Sequence, residues 1–263
     1  MNIYLQDSFF LSASDADAEG FLSLTVLTSK IIDIATQHAN SLGIGNPTME
    51  HLHAGWILSR ITIEMIKYPK INSNYLIKTW ILDYNRHFST RCFSIESTEG
   101  EILGYARTIW LVLDYENHTN FGTSHLHLPA EMIAGKDVPI PHQEKHIAIF
   151  EEEPREATLK KYLLATHMPV HYTFKYCDLD SYRHVNTIRY IVLLMNQFSL
   201  KQHDEFMIER IELSFLHEAS YGMETTLFRS DKDEEGLNSS FQLSETETGQ
   251  PLLYGRVKRR PRQ

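Results

Sequence analysis

The chain is 263 residues long and carries 25 Lys and Arg against 34 Asp and Glu, for a formal charge of −9. At roughly 150 residues per domain this length makes one large domain or two small ones. A 42% hydrophobic fraction with only 12 Gly and 9 Pro excludes a disordered or fibrous chain. The acidic balance argues against a nucleic-acid binder, which presents a broad basic face. Two cysteines, Cys92 and Cys177, are too few for a disulfide framework, so a reducing compartment is expected. No apolar run approaches the roughly 18 residues of a membrane helix. The first 20 residues hold Asp7, Asp15, Asp17 and Glu19 and lack a basic leader. These features predict a cytoplasmic protein with no membrane span and no nucleic-acid partner.

Residues 25–42 predict a helix, because Ile31, Ile34, Ala35 and Ala39 recur at spacings of three and four and Gly43-Ile44-Gly45 ends the run. The period then changes to two. Arg60-Ile61-Thr62-Ile63-Glu64-Met65 alternates as a half-buried strand, and 75–82, 91–97 and 102–114 follow as further strands, with a turn at Glu99-Gly100. One helix followed by an antiparallel sheet is an α+β unit. Residues 128–168 break the pattern, with Pro129, Pro139, Pro141, Pro154 and the acidic run Glu151-Glu152-Glu153. A stretch this long without structure suits a connection between domains, with one short helix around 155–164. This divides the chain into an N-terminal domain 1–128, a linker 129–168 and a C-terminal domain 169–263. In the last of these, 186–199 reads as a helix with Ile188, Ile191, Val192, Met195 and Phe198 on one face. Strands at 210–215, 221–229, 238–243 and 252–258 complete a second sheet.

The two halves form a degenerate repeat. Asp15-Ala16-Asp17 precedes the first helix as Asp178-Leu179-Asp180 precedes the second, an offset of 163. Arg60-Ile61 matches Arg210-Ile211 at an offset of 150, and Tyr105-Ala106-Arg107 matches Tyr254-Gly255-Arg256 at 149. Three matches in order, each at the same place in one element sequence, indicate duplication. Residues found in one half only are then candidates for function. His184 falls opposite Phe21, and Glu218-Ala219 falls opposite Tyr68-Pro69. One half carries a histidine and a carboxylate; the other keeps the scaffold and presents aromatics, which suits shaping an apolar cavity.

On composition alone, the loop from Tyr176 to Asn186 is turn and N-cap chemistry. A functional role needs Asp180 and His184 to converge near a helix N-terminus, where free N–H groups can hold a developing oxyanion. The loop resembles the signature of the acyl-acyl-carrier-protein thioesterases, Asp-Leu-Asp-x-Asn-x-His-Val-Asn, on Asp178, Leu179, Asp180, His184, Val185 and Asn186. The family's catalytic glutamate, 34 residues beyond the histidine, falls on Glu218. The first half is similar as well, through Asn46-Pro47-Thr48-Met49, Leu52-His53, Trp56, Glu64, Lys67-Tyr68-Pro69 and Thr98-Glu99-Gly100-Glu101-Ile102-Leu103. The resemblance implies a tandem double hot-dog, each half a curved antiparallel sheet wrapped around a long helix. It also implies hydrolysis of fatty acyl-acyl-carrier-protein to free fatty acid, with the carrier protein as partner, Asp180, His184 and Glu218 as catalytic residues, and no cofactor. A homodimer is compatible with this reading.

Two positions depart from the family pattern. Tyr182 stands where the family has asparagine, and Ala219 stands where plant relatives often have cysteine. Tyr182 and Asn186 are expected as supporting residues, Tyr182 through one hydroxyl in place of an amide. Thioester hydrolysis needs a nucleophile and an oxyanion stabiliser. Glu218 and His184 can deprotonate a water, while Asp180 either attacks the carbonyl or orients His184; the backbone N–H groups of 185–187 are the oxyanion candidates. Cys177 is the rival nucleophile, although a lone cysteine is commonly a small buried hydrophobe. An acyl-CoA thioesterase and a catalytically weak acyl-binding module are the rival functions.

Among weaker signals, His51-x-His53 and His125-x-His127 do not have zinc-site spacing, so no metal is expected. Gly43-Ile44-Gly45 is not a nucleotide loop. The tail Lys258-Arg259-Arg260-Pro261-Arg262 reads as a solvated terminus or as a contact for the acidic carrier.

Overall fold

The computed structural model describes residues 2–116, 119–124, 126–143 and 167–262, and the chain forms two compact units, Met1–Pro141 and His142–Gln263. The short helix expected around 155–164 lies outside the described residues.

In the first unit the elements run β1 (Tyr4–Phe10), α1 (Leu24–Ser41), α2 (Asn46–His51), β2 (Ala54–Met65), β3 (Asn74–Tyr84), β4 (Ser89–Ser97) and β5 (Ile102–Asp114). The sheet order is β1-β3-β4-β5-β2, with every neighbouring pair antiparallel. Helix α1 starts where Ser23 accepts the Val26 N–H at 3.3 Å. It ends in a Schellman pair, Gly43 N to Asn40 O and Ile44 N to Ala39 O, with Gly43 at φ +76°. Leu27, Ile31, Ile34 and Ala35 form its buried face. Part of the expected linker belongs to this unit. Val138 and Ile140 are buried against Trp80 and Cys92, Trp80 Nε1 donates to Lys136 O at 2.6 Å, and Arg107 pairs with Asp137 at 2.6 Å.

The second unit repeats the plan with β6 (Val170–Thr173), α3 (Thr187–Met195), α4 (Leu200–Glu205), β7 (Phe206–Phe215), β8 (Glu224–Asp231), β9 (Asn238–Glu245) and β10 (Pro251–Pro261). Its sheet order, β7-β10-β9-β8-β6, maps strand for strand onto the first sheet read from β2 to β1. The second helix is shorter than its pattern suggests. It stops at Met195, and Ser199 starts α4 with a capping box to Gln202. Phe198, at the break, is stacked by two guanidinium groups, Arg259 at 4.0 Å and Arg229 at 4.3 Å from its ring centre.

This packing corrects the expectation for the basic tail. Residues 258–261 belong to β10. Arg259 is buried, and Nη2 donates to Gly236 O at 2.7 Å; Lys258 pairs with Glu209 at 2.6 Å; Arg262 Nε donates to His203 O at 2.7 Å. The tail is not a loose solvated end, because strand pairing and these carbonyl contacts hold it. Among the described residues, no helix is long and apolar enough to cross a membrane.

Candidate active site

The site starts as a turn. Asp180 Oδ1 accepts the backbone N–H groups of Tyr182 at 2.8 Å and His184 at 3.1 Å, while Asp180 N donates to His184 O at 2.8 Å. An Asp side chain closing on amides two and four residues ahead is the local chemistry of an Asx turn. The first unit contains the same turn. Asp17 Oδ1 accepts from Glu19 N at 3.2 Å and Phe21 N at 2.8 Å, and Asp17 N donates to Phe21 O at 2.7 Å. The neighbouring bonds also repeat, with Val185 N to Ala219 O matching Leu22 N to Pro69 O, and Asn186 N to Asp178 O matching Ser23 N to Asp15 O. Isolated bridges join His184 to Ser220 and Phe21 to Lys70. Thus His184 occupies the place of Phe21, and Glu218 that of Tyr68, as the repeat predicts.

What the second unit adds is a side-chain pair. His184 Nε2 lies 3.4 Å from Glu218 Oε2, with both side chains about one-third exposed. Asp180 is joined to the main chain of His184 by a bond that Asp17 reproduces beside a phenylalanine, so its Oδ1 serves the turn. Asp178 is buried and holds the approach to the loop, accepting from Tyr172 Oη at 2.9 Å and Lys175 N at 2.7 Å.

Asn186 caps α3, its Oδ1 accepting the Ile188 N–H at 2.9 Å. Of the three expected oxyanion donors, Val185 N and Asn186 N are committed to Ala219 O and Asp178 O. Thr187 is the first residue of α3, a position whose N–H has no acceptor within a helix. Tyr182 is 54% exposed. Cys177 is exposed in a short 3-10 turn, whereas Cys92 is buried and its thiol is pushed up to about 12, by burial first and then by the Asp137 charge.

Tyr190 is not among the residues that the sequence motifs single out. It lies four residues after the α3 cap, where α1 carries Leu27, and is buried between Phe174 and Phe215 in edge-on contacts at 5.7 and 5.6 Å. Burial, then the nearby Glu218 and Asp180 charges, hold its phenol protonated well above the usual range; its oxygen is hydrogen-bonded with the Ala219 backbone. Comparison of the two helices would have singled it out as a second-half-specific polar residue. Among the described residues, no three His, Cys, Asp or Glu side chains gather as metal ligands.

Solved structures show the fold. The chain superposes over 98% of its length on 98% of an acyl-ACP thioesterase from Bacteroides thetaiotaomicron (TM-score 0.85, 22% identity). It covers 99% of a 12:0-ACP thioesterase from Umbellularia californica with all of its own length (TM-score 0.80, 14% identity). At these identities the likeness establishes the fold, a double hot-dog of α+β class. The particular family follows from sequence profiles. Residues 3–121 match the acyl-ACP thioesterase N-terminal domain and residues 164–258 match its C-terminal domain, so the chain belongs to the acyl-ACP thioesterases, a family of thioester hydrolases. Among curated relatives, oleoyl-acyl carrier protein thioesterase 1 of Arabidopsis thaliana is 23% identical over 81% of this chain, and the palmitoyl enzyme of Gossypium hirsutum 20% over 99%. The match spans 60% and 64% of the length of those two plant proteins.

Proposed function

We propose that this chain hydrolyses the thioester of fatty acyl-acyl-carrier-protein, releasing free fatty acid and ending chain elongation. The observation that carries the reading is the contact between His184 and Glu218, found in the half whose loop carries the family signature. In this reading the pair removes a proton from water as it attacks the thioester carbonyl. The tetrahedral oxyanion is met by the Thr187 N–H at the start of α3. As the carbon–sulfur bond breaks, the proton held by the pair returns to the thiolate, and the acid and the free carrier thiol leave. Asp180 acts by fixing the His184 backbone. The free cysteines fit a reducing, cytoplasmic setting.

The test compares acyl-carrier protein and acyl-CoA at equal acyl length, following free fatty acid and free thiol. Higher kcat/KM on the carrier protein supports the reading. A preference for CoA moves the chain to the broader thioesterase class, and acyl binding with no product release makes it a binding module.

A further inference from the structure

The loop that presents His184 contains a residue in an unfavourable backbone region. Arg183 has φ +66°, where Gly20 of the first unit has φ +77° at the same step of the same turn. Each donates its N–H to the aspartate carbonyl, Arg183 to Asp180 O and Gly20 to Asp17 O, both at 3.1 Å. The turn therefore imposes the left-handed conformation, which glycine adopts freely and a residue with a Cβ does not. Folding explains glycine at this step and leaves the arginine unexplained. Arg183 and its neighbour Tyr182 are both exposed.

We propose that Arg183 binds the phosphate of the thioester's phosphopantetheine carrier, an assignment that rests on the thioesterase reading above. A pantetheine arm is uncharged from its sulfur to its phosphodiester, so that phosphate is the one fixed charge on every such substrate. A guanidinium fork matches it in a bidentate contact. On a chain of net charge −9, with the Asp180 and Glu218 carboxylates beside the loop, an approaching phosphate needs a local cation to offset repulsion.

The experiment measures kcat/KM for the parent, Arg183→Gly and Arg183→Lys on one acyl group carried by acyl-carrier protein, by CoA and by N-acetylcysteamine, which lacks phosphate. In Arg183→Gly, the preference for each phosphorylated carrier over N-acetylcysteamine should fall about tenfold. It should be partly recovered in Arg183→Lys, and added salt should erode the parent's preference more than the variant's. Melting temperatures verify that the glycine variant is folded. A preference held within twofold overturns the proposal, as does an equal loss on all three substrates, which would place Arg183 in the chemistry. A loss confined to the carrier protein would assign the contact to acidic residues of that protein instead. A parent inactive on all three substrates would instead overturn the thioesterase reading itself.

Discussion

His184 and Glu218 stand in positions that the first unit fills with Phe21 and Tyr68, and the backbone bonds around each pair are the same. The roles proposed for them are therefore separable from their folding. His184→Ala or Glu218→Gln should lower kcat by about 10²- to 10⁴-fold, the usual range for a lost acid–base group, while the melting temperature shifts by no more than a few degrees. Loss of folding in either variant would instead make the pair structural. In the proposed reaction Tyr190 stands one step away. Its phenol is bonded beside Glu218, so Tyr190→Phe removes a hydroxyl and keeps the stacked ring. We expect kcat to fall about tenfold with KM nearly constant, the scale of one net hydrogen bond of about 1.4 kcal/mol. An unchanged kcat, with folding retained, would reduce Tyr190 to a packing residue.

At the scale of elements, the strand at 60–65 was legible because its apolar residues recur at every second position, and Ile61, Ile63 and Met65 are all buried. The strand expected at 102–114 is the observed β5, and those at 75–82 and 238–243 grow by a few residues at their ends. β1 and β6 escaped the pattern for a common reason. Each is a sheet edge with a mostly exposed face, so Tyr4–Phe10 and Val170–Thr173 lack the apolar alternation that marks a central strand. The second helix was overread because Phe198 continues its apolar spacing, although its ring serves the Arg229 and Arg259 stack beyond the helix end. In the site, the resemblance gave Asp180, His184 and Glu218 equal standing. Asp180 Oδ1 accepts main-chain amides while Glu218 faces the imidazole, a difference in contacts that two carboxylates do not show in sequence.

Helix-to-sheet contact also explains the change from Ala106 to Gly255 between the repeats. A Cβ at Gly255 would lie 2.8 Å from Leu194 Cδ2 and 3.2 Å from Leu213 Cδ2. Gly255→Val should therefore destabilise the protein by about 1–3 kcal/mol through overpacking. Adding Leu194→Ala should recover part of this loss, which denaturant titration of the single and double variants would show. Strictly additive losses would place the strain elsewhere.

At the scale of the molecule, one buried pair sets an acid limit on stability. His38 Nε2 meets Asn2 O at 3.0 Å, and its Nδ1 accepts from Arg91 Nη1 at 2.6 Å, so the neutral ring is the form that fits. Burial first, then the Arg91 charge, lower its pKa from 6.5 to about 4. Below pH 6.5 the unfolded chain takes up a proton that the folded chain refuses. Stability from this group is therefore full above pH 6.5 and drains away as pH falls toward 4, by on the order of 3 kcal/mol. His38→Gln can keep both hydrogen bonds without titrating, and its unfolding free energy should show a shallower slope across that interval. A slope equal to the parent's would exclude His38 as the source.

The repeated Asx turn has a consequence for how such a molecule can change over time. Because main-chain bonds hold positions 21 and 184, the side chain at either is close to a free choice. A duplicated ancestor with a histidine in both copies could lose one by drift without unfolding, and the vacated slot could then be selected for substrate shape alone. The same freedom runs in reverse, since the first half still carries the turn that would present an imidazole.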